Sequence, residues 1–416
     1  PETIAAGETL IMLDSRGEQA RTSAFIMFRS LRLSGLTFLA TQLRWIVDNI
    51  PLVVNAFSAR VGLGFGVSLL NVGSGMIIGL RISASMLIGG IIGWVLAPPW
   101  LLSQGLIAAD ARRVDILLLI MWPAVGMLVA GGMSALLLRW RVLIRTFKGL
   151  ASSASVSGDL PIRWVWVGSL AASIFLIAAQ AVFFGTPVWH SVLAILFSVP
   201  LGLVALRVLG ETNWGPISTM VNVVQAIFGA IAPGDLRASM ISSGTTGAVA
   251  AESEGLMQDF RAGQMVVSTP RMQTYMQLLA VPVGALALAF MYPLLRDTYG
   301  VIGENAQLLS PTSQRWVGFA KLVTQELTGP AAANPAAAAR LSWMTTSLGV
   351  GALIGVVLTL LEQKEKWRSY VPSPTGMGIA MLIPINAVTM IFFGAAADRV
   401  WEKTSPESHE RYSIPI

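Results

Sequence analysis

The chain has 416 residues, 54% of them hydrophobic and only 12% charged, with a formal net charge of +6 and no cysteine. An average soluble protein carries roughly 25% charged residues, so half the usual solubilising charge is missing. That excludes a soluble globular enzyme, disulfides, thiolate metal sites and a cysteine nucleophile, and the basic residues flank apolar runs instead of forming a surface stripe for nucleic acid.

Residues 1–22 are polar and show no secretory signal. Residues 1–60 read as a polar N-terminal segment followed by a helix, on which Arg44 and Asp48, four apart, can share a face; it is either an amphipathic interfacial helix or a span with a buried ion pair. Residues 61–207 read as a first helical group of one broken helix and four spans. The broken helix, 61–80, carries Gly62, Gly64, Gly66, Gly73, Gly75 and Gly79, which either allow close helix packing or interrupt a helix lining a wet cavity.

Seven apolar spans lie near 82–98, 116–138, 164–184, 188–206, 272–295, 342–361 and 377–397. A helix of about 20 apolar residues crosses the hydrocarbon core, and no strand alternation runs through these lengths. The fold class is therefore all-α, a polytopic integral membrane bundle with interrupted or re-entrant helices. A faint repeat, Ser74-Gly75-Met76-Ile77-Ile78-Gly79 against Thr375-Gly376-Met377-Gly378-Ile379-Ala380, hints at two related halves. Arg139, Arg141, Arg145, Lys148 and Arg163 put the loop after the second span in the cytoplasm, and counting onward puts 296–341 outside.

Residues 208–271 carry the unusual chemistry. Two broken segments are expected here: 212–233, from Trp214-Gly215-Pro216 to Pro233-Gly234, and 236–251, with the polar run Ser242-Ser243-Gly244-Thr245-Thr246-Gly247. Backbone freed by such breaks must be shielded by protein or line a wet cavity. Glu211 and Asn213 open the first segment, and Asn222 and Gln225 follow in it. Glu252, Glu254, Asp259 and Arg261 come next, and Gln273 and Gln277 lie one turn apart on the helix that starts the C-terminal group, 272–416, with its three spans and external loop. Acids near membrane depth usually face a cavity and act; the alternative is a solvated loop, with Glu211 capping a helix. Arg81, beside the broken segment 61–80, either holds a substrate carboxylate or snorkels to the interface. Coupling or gating candidates are thus Glu211, Asn213, Glu254, Asp259 and Arg261; substrate candidates are Asn71, Arg81, Asn222, Gln225, Gln273 and Gln277.

No phosphate-binding Gly-x-x-x-x-Gly-Lys-Ser/Thr loop, His-Glu-x-x-His or Gly-x-Ser-x-Gly occurs, so no ATPase, zinc protease or serine hydrolase is expected, and the reading calls for no cofactor and no resident metal. A passive channel or a scaffold without transport stays open on composition alone.

The run Leu256-Met257-Gln258-Asp259-Phe260-Arg261-Ala262-Gly263, then Ser268-Thr269-Pro270-Arg271 with Gln273 and Gln277, resembles the oligopeptide transporter family, most of all its bacterial members and its yellow stripe-like branch. Gly210-Glu211-Thr212-Asn213-Trp214 upstream and Tyr370-Val371-Pro372-Ser373-Pro374-Thr375-Gly376-Met377-Gly378 downstream are similar to that family's elements in the same order. The resemblance implies a proton-coupled importer in the bacterial inner membrane. Its partners would be protons, the lipid bilayer and either small peptides or metals held in amino-acid-like chelates. It also implies a longer chain, with sequence missing at both ends. Val267-Ser268-Thr269-Pro270-Arg271 departs from the Lys-Ile-Pro-Pro-Arg of the plant peptide branch. Without Cys and with two His, the chain would handle a transition metal only as a preformed complex.

Overall fold

The structure, a computed structural model, describes residues 2–14, 18–138, 160–212, 215–299, 316–317, 319–321, 323–324 and 335–412. The helices are α1 Glu2–Asp14, α2 Glu18–Gln42, α3 Leu69–Ile78, α4 Leu80–Ser103, α5 Arg113–Leu138, α6 Ile162–Phe184, α7 Val188–Thr212, α8 Ile217–Ile231, α9 Leu236–Met265, α10 Pro270–Tyr299, α11 Pro335–Glu362, α12 Pro374–Ala380, α13 Ile385–Thr404 and α14 Pro406–Tyr412. Single helical turns add Ser58–Val61 and Glu365–Arg368. The strands among the described residues are Asn49–Pro51 (β1) and Gly64–Gly66 (β2), paired antiparallel with Ile50 opposite Phe65. The all-α expectation holds.

Among the described residues, six stretches are long and apolar enough to cross a membrane: Leu80–Ser103, Asp115–Gly132, Arg163–Phe184, Val188–Gly210, Pro270–Thr298 and Ala338–Glu362. The chain is a multi-pass integral membrane protein. The seventh expected span, 377–397, is two helices, α12 and α13, separated at Met381–Pro384. Pro384 has no N–H to continue a ladder, and it pushes Ile383 out of the helical region. The 61–80 segment is interrupted as expected, by the β1–β2 hairpin and at Gly79, whose φ of 86° is open to glycine.

Two expectations need correction. The polar run 242–247 does not break a helix: α9 is continuous over 30 residues. Its hydroxyls fold back on the helix's own carbonyls, Thr245 Oγ1 donating to Ile241 O at 3.1 Å and Thr246 Oγ1 to Ser242 O at 3.4 Å, so polarity costs no backbone bond. Arg44 and Asp48 do not share a helix face, because α2 ends at Gln42 and Arg44 sits at φ 57° in a turn. Within the loop 296–341 a segment returns into the protein, with Phe319, Ala320, Val323 and Thr324 buried and Gly234 N donating to Thr324 O. Residues 213–214 and 300–315 lie outside the described set.

Packing follows the glycines. α11 lies along α5, and a Cβ on Gly126 would come 2.1 Å from Leu348 O, one on Gly351 2.1 Å from Pro123 O, and one on Gly355 2.6 Å from Met127 O. α3 packs on α13, where Gly75 meets Ile391 O and Gly394 meets Val72 O, while α12 packs on α4, where Gly89 meets Met377 O. Each broken helix therefore lays its first segment on the other's second. α6 and α10 stand at the periphery with apolar side chains such as Phe183 and Phe290 exposed, as helices facing lipid require.

Carbonyls freed by breaks find side-chain donors. Pro123 inside α5 frees Leu119 O, which accepts from Trp343 Nε1 at 3.2 Å. Pro99 frees Val95 O in the π turn Ile91–Leu96, and Asn55 Nδ2 donates to it at 2.9 Å. Ala380 O, at the end of α12, accepts from Trp94 Nε1 at 3.3 Å.

Gly349 and Gly351 test this packing within one helix. A Cβ at Gly349 meets nothing within 4 Å, so Gly349→Ala should be neutral or gain roughly 0.5–1 kcal/mol of helix propensity. Gly351→Ala should lose roughly 1–3 kcal/mol by overpacking against the α5 backbone. Thermal unfolding of the two variants in detergent makes the comparison.

Candidate functional site

A cavity of about 600 Å³ lies where α5, α8 and the α12–α13 break converge. Its wall includes Arg113 and Leu117 of α5, the turn Gly215-Pro216 with Ile217, Ser218 and Thr219 of α8, Asn222 one turn on, and Ile383-Pro384 at the break. Trp316 and Phe319, from the segment that returns into the protein, close another side. A second, apolar space of about 300 Å³ adjoins it through Met121, Asn222 and Phe319. Small-molecule sites are typically about 300–1,000 Å³ with a mostly apolar lining and a few placed polar groups.

The polar groups are placed by the breaks. α8 begins at Pro216 without a side-chain cap, and its first intrahelical bond is Met220 N to Pro216 O. The N–H groups of Ile217, Ser218 and Thr219 therefore have no helical acceptor and stand at the positive end of a 15-residue helix. α13 likewise begins at Pro384 without a side-chain cap. Arg113, whose guanidinium lies 5.1 Å from the Trp94 ring, is the charged residue of the wall, and no acid lines it among the described residues. The uncapped start of α8 presents a positive helix end to the cavity and suits a carboxylate. Asn222 Oδ1 and Trp316 Nε1 are buried without a hydrogen-bond partner among the described residues, leaving one acceptor and one donor at the wall.

Glu254 stands behind this turn. It is on the charged C-terminal half of α9, outside the six candidate spans, and 7% exposed. Its carboxylate rests on Gly215, where a Cβ would lie 1.9 Å from Oε2, and Oε1 has no partner. Burial pushes its pKa up to about 7.

The other predicted residues sit elsewhere. Asn222 lines the cavity. Gln225 is fully buried behind it and donates through Nε2 to Trp316 O at 3.2 Å, so it positions the wall. Arg81 pairs with Glu362 at 2.9 Å and donates to Val371 O, pinning the chain that leads into α12. Asn71 lies in the first turn of α3, its N–H on Ser68 Oγ, away from the cavity wall. Gln273 donates to Asp259 O at 2.9 Å and Gln277 to the Asp259 carboxylate, which ties α10 to α9 around the turn at 266–269. Asp259 and Arg261 are exposed, the latter donating to Gln264 Oε1. This cluster holds a hairpin and is not part of the cavity. Glu211 occupies the last turn of α7, and Asn213 lies outside the described residues. Residues not foreseen are Arg113, Ser218, Thr219, Trp316, Phe319 and Pro384. Proline inside the apolar stretch 377–397 was the legible signal for one of them, and the run Trp316-Val317-Gly318-Phe319-Ala320 for two more.

The family described as "OPT oligopeptide transporter protein" matches residues 1–416. A Saccharomyces cerevisiae protein named for oligopeptide transport is 23% identical over 94% of this chain and 61% of its own length. An Arabidopsis thaliana protein named for metal-nicotianamine transport is 24% identical over 85% of this chain and 54% of its own length. A Haemophilus influenzae protein named for oligopeptide transport is 22% identical over 95% of this chain and 68% of its own length. The chain thus spans between about half and two-thirds of the length of these relatives.

The buried carboxyl gives a stability signature. With a pKa near 7 folded and the ordinary 4.5 unfolded, Glu254 holds its proton in the folded state between those values while the unfolded chain has released its own. Its contribution is then fully favourable below about pH 4.5 and is lost as pH rises to about 7, with a slope no steeper than about 1.4 kcal/mol per pH unit. Melting curves from pH 5 to 8 should fall for the parent and run flatter for Glu254→Gln.

Proposed function

The chain belongs to the OPT oligopeptide transporter family, and from that premise we propose that it serves a secondary active importer of short peptides, driven by protons. The observation that carries this reading is the cavity of about 600 Å³ at the meeting of two broken helices, floored by uncapped helical N–H groups. A peptide's terminal carboxylate fits the first turn of α8 beside Arg113. A peptide bond carries one donor and one acceptor, the complement of the unpartnered Asn222 Oδ1 and Trp316 Nε1.

Coupling runs through Glu254. Protonated, the carboxyl rests neutral against Gly215. Ionised, it is a buried charge with an unpartnered oxygen, and the least costly relief is to displace the Gly215-Pro216 turn, which is the cavity's own wall. A proton taken up outside and released inside thereby alternates the shape of the site, and each charge moved supplies about 2.3 kcal/mol per 100 mV. The N-terminal ends of α5 and α11 face outside in this account, in a bacterial inner membrane.

A second reading, import of metal chelates, is favoured by the same positive helix end and by the relative named for metal-nicotianamine transport. No group of three His, Cys, Asp or Glu able to hold a metal occurs among the described residues, so the metal would travel as a complex whose carboxylates make the contacts.

Uptake into proteoliposomes under an inward proton gradient tests both. Labelled di- to tetrapeptides should accumulate above equilibrium and leak back when the gradient is collapsed. Arg113→Gln should raise KM roughly tenfold through loss of a charge-assisted contact. Glu254→Gln should equilibrate peptide without concentrating it. Accumulation of chelated iron in place of peptide selects the second reading, and accumulation of neither rejects the first and second alike.

A further inference from the structure

Beside the central cavity lies a separate pocket of about 330 Å³, between the loop 106–112, the start of α5 and the start of α11. It shares Leu118 with the central cavity, and consecutive residues divide between the two: Arg112 lines the outer pocket and Arg113 the central one. Its charges are balanced. Asp110, Asp115, Arg112 and Arg340 line it, over an apolar floor that includes Leu119 and Met344. Arg112 is already engaged, its backbone N donating to Asp115 Oδ2 at 2.9 Å and its Nε lying 3.5 Å from the same oxygen. Asp110 and Arg340 have no ion-pair or side-chain hydrogen-bond partner among the described residues, and they do not pair with each other.

One unpaired carboxylate and one unpaired guanidinium across a single pocket do not suit a simple anion or a simple cation. Either would gain one partner and meet one like charge. They suit a ligand that carries both signs at once. We propose that this pocket is a second solute-binding subsite, which captures a zwitterionic peptide with its ammonium at Asp110 and its carboxylate at Arg340 before the peptide passes Leu118 into the central cavity. The inference rests on the peptide reading for the identity of the solute, and on the topology that turns this end of α5 and α11 outward. The two sites differ in kind: the outer one reads both termini, whereas the inner one presents a positive helix end and reads the carboxylate. Because Asp110 and Arg340 are exposed, replacing them breaks no ion pair or side-chain hydrogen bond among the described residues.

Equilibrium dialysis of labelled dialanine against the purified protein in detergent decides the matter without any need for transport. The parent should hold two molecules per chain at saturation, and the double variant Asp110→Asn/Arg340→Gln should hold one. Dialanine blocked at both termini should not distinguish parent from variant. In uptake assays each single variant should raise KM roughly two- to fivefold with Vmax unchanged, as exposed charge pairs allow. Equal stoichiometry in parent and double variant, or no binding to the parent, overturns the subsite. One molecule on the parent and none on the variant upholds the subsite and removes the central cavity from the peptide reading, so the two failures are distinct.

Discussion

A backbone N–H or C=O released from a helix cannot face lipid. The rest of the structure depends on how this chain answers that constraint at its breaks. Where proline or a π turn frees a carbonyl, an indole or amide from a neighbouring segment takes it: Trp343 for Leu119 O, Asn55 for Val95 O, Trp94 for Ala380 O. At the start of α8 no side chain caps the freed N–H groups, and there the structure opens a cavity. The site is the place where the constraint is left for a ligand to satisfy.

That arrangement needs broken helices to approach each other closely, and glycine permits the approach. Gly75 and Gly394 let α3 and α13 touch backbone to backbone, Gly89 does the same for α4 and α12, and Gly126, Gly351 and Gly355 join α5 to α11. With no net hydrophobic drive between helices in lipid, such contacts and the few interhelical hydrogen bonds hold the bundle. The Arg81–Glu362 pair adds an anchor at the chain leading into α12. The fold thus fixes the two breaks that face the cavity and sets the turn at Gly215 against the Glu254 carboxylate.

Much of this was legible in the residues, because twenty apolar residues without charge have few physical outcomes. Six of seven spans and the all-α class follow from that rule. The break at Gly79 and the end of α8 at Pro233-Gly234 could be read from residues with special backbone geometry. What misled was polarity taken as a proxy for irregularity. Ser242–Gly247 is polar yet helical, since its hydroxyls bond within the helix, and Phe319, Ala320, Val323 and Thr324 are buried although the loop around them is charged. The site was half legible for a related reason. Asn222, Gln225 and Glu254 belong to it or stand directly behind it, but Asp259, Gln273 and Gln277, which carry much of the family resemblance, close a hairpin instead, and Arg261 bonds Gln264 within its own helix. A motif marks where sequence is constrained; it does not say whether the constraint is a ligand or a turn. Arg113 and Trp316 reach the cavity through tertiary contacts that no local pattern encodes.

The central claim is that the uncapped start of α8 and the α12–α13 break face one wet, solute-binding cavity. The chain has no cysteine of its own, so single cysteines at Ser218 and Ile383 report without background. The account predicts that a membrane-impermeant thiol reagent labels both positions and that peptide slows both reactions in parallel, while a cysteine at Phe290 on the lipid-facing α10 stays unlabelled. Labelling at neither Ser218 nor Ile383, or protection by peptide at neither, would contradict it.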